Sequence, residues 1–83
     1  MGTFIRRGPA TEDAFSKAKT CRIVKHGAFA IGDHASFDAR CSVREAKDKF
    51  DKNKSARMMR HVGGPFVFVV FDPMGYTRYE LRA

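Results

Sequence analysis

The sequence predicts a small α+β domain, an antiparallel sheet of about four strands packed on a basic helical segment. Three observations predict it. Six consecutive β-branched or aromatic residues, Phe66 to Phe71, lie between Gly63-Gly64-Pro65 and Asp72-Pro73-Met74-Gly75, the pattern of a strand between a helix stop and a turn. Upstream of it, apolar residues recur at helical spacing among lysines and arginines. The length, 83 residues, suits one domain spanning the chain with a single modest core.

Residues 1–10 read as an irregular lead-in ending at Gly8-Pro9. Thr11 then offers a cap, with Glu12 and Asp13 early and Lys17 and Lys19 late, a polarity that suits a short helix dipole over residues 11–19. Thr20-Cys21-Arg22-Ile23-Val24-Lys25 reads as a strand, His26-Gly27 as its turn, and Ala28-Phe29-Ala30-Ile31 as the returning strand of a hairpin.

The next helix has two candidate starts. Ser42-Val43-Arg44-Glu45 matches a capping box. Ala39, Val43, Ala46 and Phe50 nevertheless form one continuous helical stripe, which favours an earlier start at Ser36. If Ser42 is the cap, Ala35, Phe37 and Ala39 alternate as a strand instead. Met58, Met59 and Val62 fall off the stripe by about a third of a turn at 100° per residue, so a kink or two helices over 36–51 and 55–62 are expected. Gly63 and Pro65 close the second.

For the C-terminal hairpin, Asp72-Pro73-Met74-Gly75 suits a type I turn followed by a bulge at Gly75. That register pairs Asp72 with Tyr76 and sends Val67, Val69 and Phe71 to the core with Leu81, Tyr79 and Thr77. Phe66 and Phe68 then share the outer face with Arg78, Glu80 and Arg82. A two-residue loop reverses the assignment.

Charge is the strongest compositional signal. Sixteen Lys and Arg against nine Asp and Glu give +7, and residues 40–60 alone hold +5. Their eight bases are Arg40, Arg44, Lys47, Lys49, Lys52, Lys54, Arg57 and Arg60. A segment of this kind attracts nucleic acid or an acidic protein surface, and a solvated helix face explains it equally well. A secondary contact surface is Phe66 and Phe68 beside Arg78 and Arg82, where rings stack on bases and guanidiniums meet phosphates. Packing of the two rings under a helix is the plainer explanation, and no standard DNA- or RNA-binding signature accompanies them.

Other chemistries have little in the sequence to support them. Cys21, Cys41, His26, His34 and His61 show neither CxxC nor HxxxH spacing, so no metal or other cofactor is expected. No nucleophile sits in a glycine-flanked elbow, and Gly63-Gly64 follows a helix where a phosphate loop would precede one. An enzyme is therefore not expected. Two cysteines favour free thiols in a reducing cytoplasm over a Cys21–Cys41 bridge, and no secretory segment or run of about 18 apolar residues points to export or a membrane.

Non-catalytic binding to a nucleic acid or nucleoprotein through the basic helix is the favoured function. The alternative is a protein partner or a homodimer met through the apolar strand. In size, basic charge and lack of catalytic motifs the chain is similar to accessory proteins of phages and plasmids, including inhibitors of host defence such as anti-CRISPR proteins. That similarity is generic and implies an inhibitor role without assigning any residue.

Overall fold

The computed structural model describes residues 2–5, 8–27 and 35–83. The fold is α+β. In chain order the elements are β1 (Gly2–Ile5), α1 (Pro9–Lys17), β2 (Thr20–Gly27), β3 (Ala35–Cys41), α2 (Val43–Lys52), β4 (Met58–His61), β5 (Phe66–Asp72) and β6 (Gly75–Arg82). Five strands, β2 to β6, form an antiparallel sheet that the short β1 extends at one edge, in the order β1-β4-β5-β6-β2-β3. The sheet is thus larger than the four strands expected, because the lead-in and the segment after α2 both supply strands.

Both helices pack on one face of this sheet. Phe15 of α1 and Phe50 of α2 meet at 5.6 Å between ring centroids, and both rings abut Phe68 of β5, at 6.1 and 5.3 Å. Phe68 in turn stacks on Tyr79 of β6 at 4.7 Å. Ala14, Cys21, Ala46, Ala56, Met58 and Leu81 complete the buried cluster. Burial of the Tyr79 phenol raises its pKa, with the charge of Glu45 adding to the effect.

Helix α1 begins at Gly8 rather than at Thr11, with Pro9 in the first turn, where its missing N–H costs nothing. Thr11 is buried instead of capping. Helix α2 starts at the later of its two candidates: the Glu45 N–H donates to Ser42 Oγ at 3.0 Å. The earlier start fails because residues 35–41 pair with β2 as a strand. Ala39 lies opposite Ile23 on the helix side of that strand, and Val43, Ala46 and Phe50 pack on the core from the helix, so two elements imitate one stripe. Replacing Ser42 by Ala should cost about 1 kcal/mol, read as a lower thermal midpoint.

No second helix follows. Asn53 Oδ1 accepts from the Ser55 N–H and hydroxyl, a local turn that competes with helix continuation. Met58 and Met59 then point to opposite faces as strand neighbours do, Met58 into the core, while Val62 is exposed and belongs to no buried stripe. Gly63 does adopt the left-handed conformation expected of it, φ 69°, but in the turn between β4 and β5. The first hairpin also differs, since His26 and Gly27 lie inside β2. The expected return strand at 28–31 and His34 fall outside the described residues.

The β5–β6 hairpin closes with two residues, Pro73 and Met74, and pairs Asp72 with Gly75 instead of Tyr76. The Met74 N–H donates to Asp72 Oδ1 at 2.7 Å, which stabilises the tight loop. Gly75 lies in regular register between Asp72 and Gly27 rather than in a bulge, and its backbone runs so close to β2 that a Cβ there would lie 2.0 Å from the His26 carbonyl oxygen, so the position admits only glycine. One residue of register exchanges the faces of a strand. Phe66, Phe68 and Val70 therefore pair with Leu81, Tyr79 and Thr77 on the helix side.

Cys21 and Cys41 are joined in a disulfide, contrary to the expectation of free thiols. They stand directly opposite one another in the β2–β3 ladder, with Cα atoms 5.0 Å apart, inside the range that a disulfide spans. The inference of a reducing cytoplasm loses its premise. Among the described residues no helix is long and apolar enough to cross a membrane.

Candidate functional site: the helix-free face of the sheet

Strand alternation places a second set of side chains on the face away from α1 and α2, where no helix packs among the described residues. Three cross-strand rows matter. At one end Phe71, Tyr76 and His26 are paired across β5, β6 and β2. The middle row is Val69, Arg78, Val24 and Asp38. Beyond it run Val67, Glu80, Arg22 and Arg40.

The first row is an exposed aromatic strip. Phe71 is 74% exposed and Tyr76 39%. The Tyr76 ring stacks on His26 at 4.9 Å with an interplanar angle of 28°, and Phe71 lies 6.0 Å from Tyr76. Rings so placed hold one another in register while leaving a π surface to solvent.

The charged rows are built differently. Arg22 clasps Asp38, its Nε donating to both carboxylate oxygens at 2.8 and 3.0 Å. This hydrogen bond holds the Asp38 carboxyl below the usual aspartate range and raises Arg22 in turn. The clasp contributes above the ordinary aspartate pKa and is lost as pH falls through the lowered value. Glu80 is only 5% exposed and accepts from Arg78, while Arg22 Nη1 lies 3.9 Å from it. Two guanidiniums thus neutralise two carboxylates across β3, β2 and β6, a polar lock on strand register.

Past this lock the face opens into a groove of about 570 Å³, lined by Lys19, Arg22, Asp38, Arg40, Glu80 and Arg82. Lys19 is fixed beside Arg82, its N–H donating to the Arg82 carbonyl at 2.7 Å. Lys19, Arg40 and Arg82 form no ion pair among the described residues. The groove therefore offers positive charge that the protein has not itself consumed.

The eight bases of residues 40–60 do not make one basic helix. Arg40 lies on β3, Lys54 and Arg57 follow α2, and Arg60 lies on β4. Only Arg44, Lys47, Lys49 and Lys52 belong to α2, together with all three acids of the segment. Lys47 reaches Asp51 at 2.9 Å and Glu12 at 3.6 Å, and Lys52 reaches Asp48 at 3.0 Å. The Asp51 hydrogen bond raises the Lys47 pKa against a smaller opposing effect of burial. Arg57 donates to the carbonyls of Lys54 and Ala56. Arg44, Lys49, Lys54 and Arg57 are the solvent-exposed cations in and just after this helix that have no carboxylate partner among the described residues.

Nor does the structure bring Phe66 and Phe68 together with Arg78 and Arg82. The phenylalanines face the helices and the arginines face away, as the Asp72–Gly75 register requires. Phe68 is 1% exposed and can stack no base. Phe66 is half-buried under Arg60, whose guanidinium lies 5.5 Å from the ring centre. Phe71, Tyr76, His26 and Lys19 were not among the candidates read from the sequence. The two-residue loop, once chosen, would have paired Phe71 with Tyr76, whereas His26 and Lys19 join only through the long-range β2–β6 ladder.

Comparison with family models, curated proteins and solved structures found no match.

Proposed function

We propose that the protein is a non-catalytic module that binds nucleic acid or a nucleoprotein. The observation that carries this reading is the helix-free sheet face, which combines exposed aromatic rings with guanidinium and ammonium groups in a chain of net charge +7. The contact surface so assigned lies on the sheet; Arg44 and Lys49, the cations of α2 that lack an acidic partner, belong to the helix side and are not part of it. Polyanion binding through several such groups releases counterions and weakens steeply with salt. In a mobility-shift titration with single-stranded and duplex DNA and RNA, retardation is expected at low salt and should fade as salt approaches physiological strength. Absence of any shift at low salt would refute the proposal.

A second reading is a protein-binding inhibitor or adaptor of the phage-accessory type, or a homodimer. It is favoured by the exposure of Phe4, 71%, and Phe71, 74%, which alternation and register put on this same face. Light scattering on the eluting protein separates this reading from the first. A dimer that Phe71→Ala converts to monomer would support it, and a salt-independent monomer would remove the homodimer.

A further inference from the structure

We infer that the occupant of the helix-free face is a single strand of nucleic acid lying along β6 and β2, its bases on the ring row and its phosphates in the groove. The inference rests on the nucleic-acid reading and adds to it a substrate form and a footprint.

The geometry separates two kinds of contact. Phe71, Tyr76 and His26 occupy one end of the face. Lys19, Arg40 and Arg82 line the groove at the other. From His26 to Arg22, or from Tyr76 to Glu80, is four residues of strand, about 13 Å at the usual rise. Stacking needs an unpaired base with a free face, which a duplex interior does not present. Rings on a sheet hold about two or three bases in known platforms of this type. Phosphates beyond them would reach the groove, so the two ends together suit a strand of about four nucleotides.

The locked pairs explain why the middle of the face is not itself the phosphate site. Arg22 is committed to Asp38, and Arg78 to the buried Glu80. Asp38 and Glu80 also line the groove but are already matched by Arg22 and Arg78, so the positive charge left there for a phosphate is that of Lys19, Arg40 and Arg82, which have no ion-pair partner among the described residues. Charge complementarity thus sets the phosphates at the Cys21–Cys41 end and leaves the bases to the aromatic end.

The test is fluorescence anisotropy with labelled oligothymidine and oligouridine of graded length and with a matched duplex, each across a salt series. Single strands should bind at least tenfold tighter than the duplex, with affinity levelling off near about four nucleotides. Phe71→Ala and Tyr76→Ala should each weaken single-strand binding about fivefold or more while leaving the salt slope unchanged, and Tyr76→Phe should restore it. Arg40→Ala and Arg82→Ala should each flatten the slope by about 0.7. Both ring substitutions are at exposed positions, and a melting curve for each variant confirms that the fold is kept. Equal affinity for duplex, or ring variants that bind as the parent does, would overturn the single-strand inference while leaving nucleic-acid binding intact. No binding by any oligonucleotide at low salt would overturn both.

Discussion

Phe68→Ala should cost about 3–5 kcal/mol, the loss expected for a fully buried phenylalanine whose site cannot collapse. The ring is 1% exposed and touches Phe15, Phe50 and Tyr79, so it joins both helices to the sheet. A domain of 83 residues has a total stability of roughly 4–12 kcal/mol. The substitution therefore removes a large share of it and leaves a much lower thermal midpoint by circular dichroism. Phe71→Ala is the paired control. Its ring is 74% exposed, and the change should fall within about 0.5 kcal/mol of the parent. The contrast tests the hairpin register directly. A costly Phe71 and a cheap Phe68 would restore the Asp72–Tyr76 pairing and send Phe71 to the core away from Tyr76, and the proposed base platform would go with it.

These two phenylalanines also show what the sequence could and could not determine. Strand β5 and its return were evident from the run of β-branched and aromatic residues and from the turn chemistry. Which face became core hung on a single residue of loop length, and the pairing that accompanies the two-residue loop is distant: Gly75 with Gly27 and Tyr76 with His26. Local turn preference favoured the bulge, and the β2–β6 ladder accompanies the tighter loop. The helical stripe misled for a related reason. Ala39 shares the helix side of the sheet with Ile23 and Phe50 is buried there from α2, yet a strand end and a helix start lie between them, and Ser42 was the local signal of that boundary. The expected basic helix was also open to correction from spacing alone. Lys47 with Asp51 and Asp48 with Lys52 are four residues apart, the separation at which a helix pairs opposite charges. That pairing leaves α2 with few free cations and moves the positive face to the sheet. By contrast, the groove of Lys19, Arg40 and Arg82 draws on three segments that no local pattern connects.

Reducing the Cys21–Cys41 disulfide should lower stability by about 3 kcal/mol, the chain-entropy contribution of a closed loop of this length, a sequence separation of 20. For a domain of this size that corresponds to a thermal midpoint lower by roughly 12–24 °C. Melting the protein with and without reductant measures it, with intact mass under each condition showing whether the thiol hydrogens are present. Cys41→Ala should reproduce the reduced midpoint and abolish its dependence on reductant. An unchanged midpoint in a protein whose mass confirms the bond would show that the ladder alone holds β3. The bond matters beyond the ledger of stability because of where it lies. It fastens the end of an edge strand to the sheet beside Arg40, at the phosphate end of the proposed binding face, whereas Phe71 and Tyr76 stand at the other end. Reduction should therefore loosen the cation groove before it disturbs the rings. In the anisotropy experiment that would appear as a shallower salt slope with the ring contribution retained, and a loss of ring-dependent affinity instead would show that the sheet yields as a single unit.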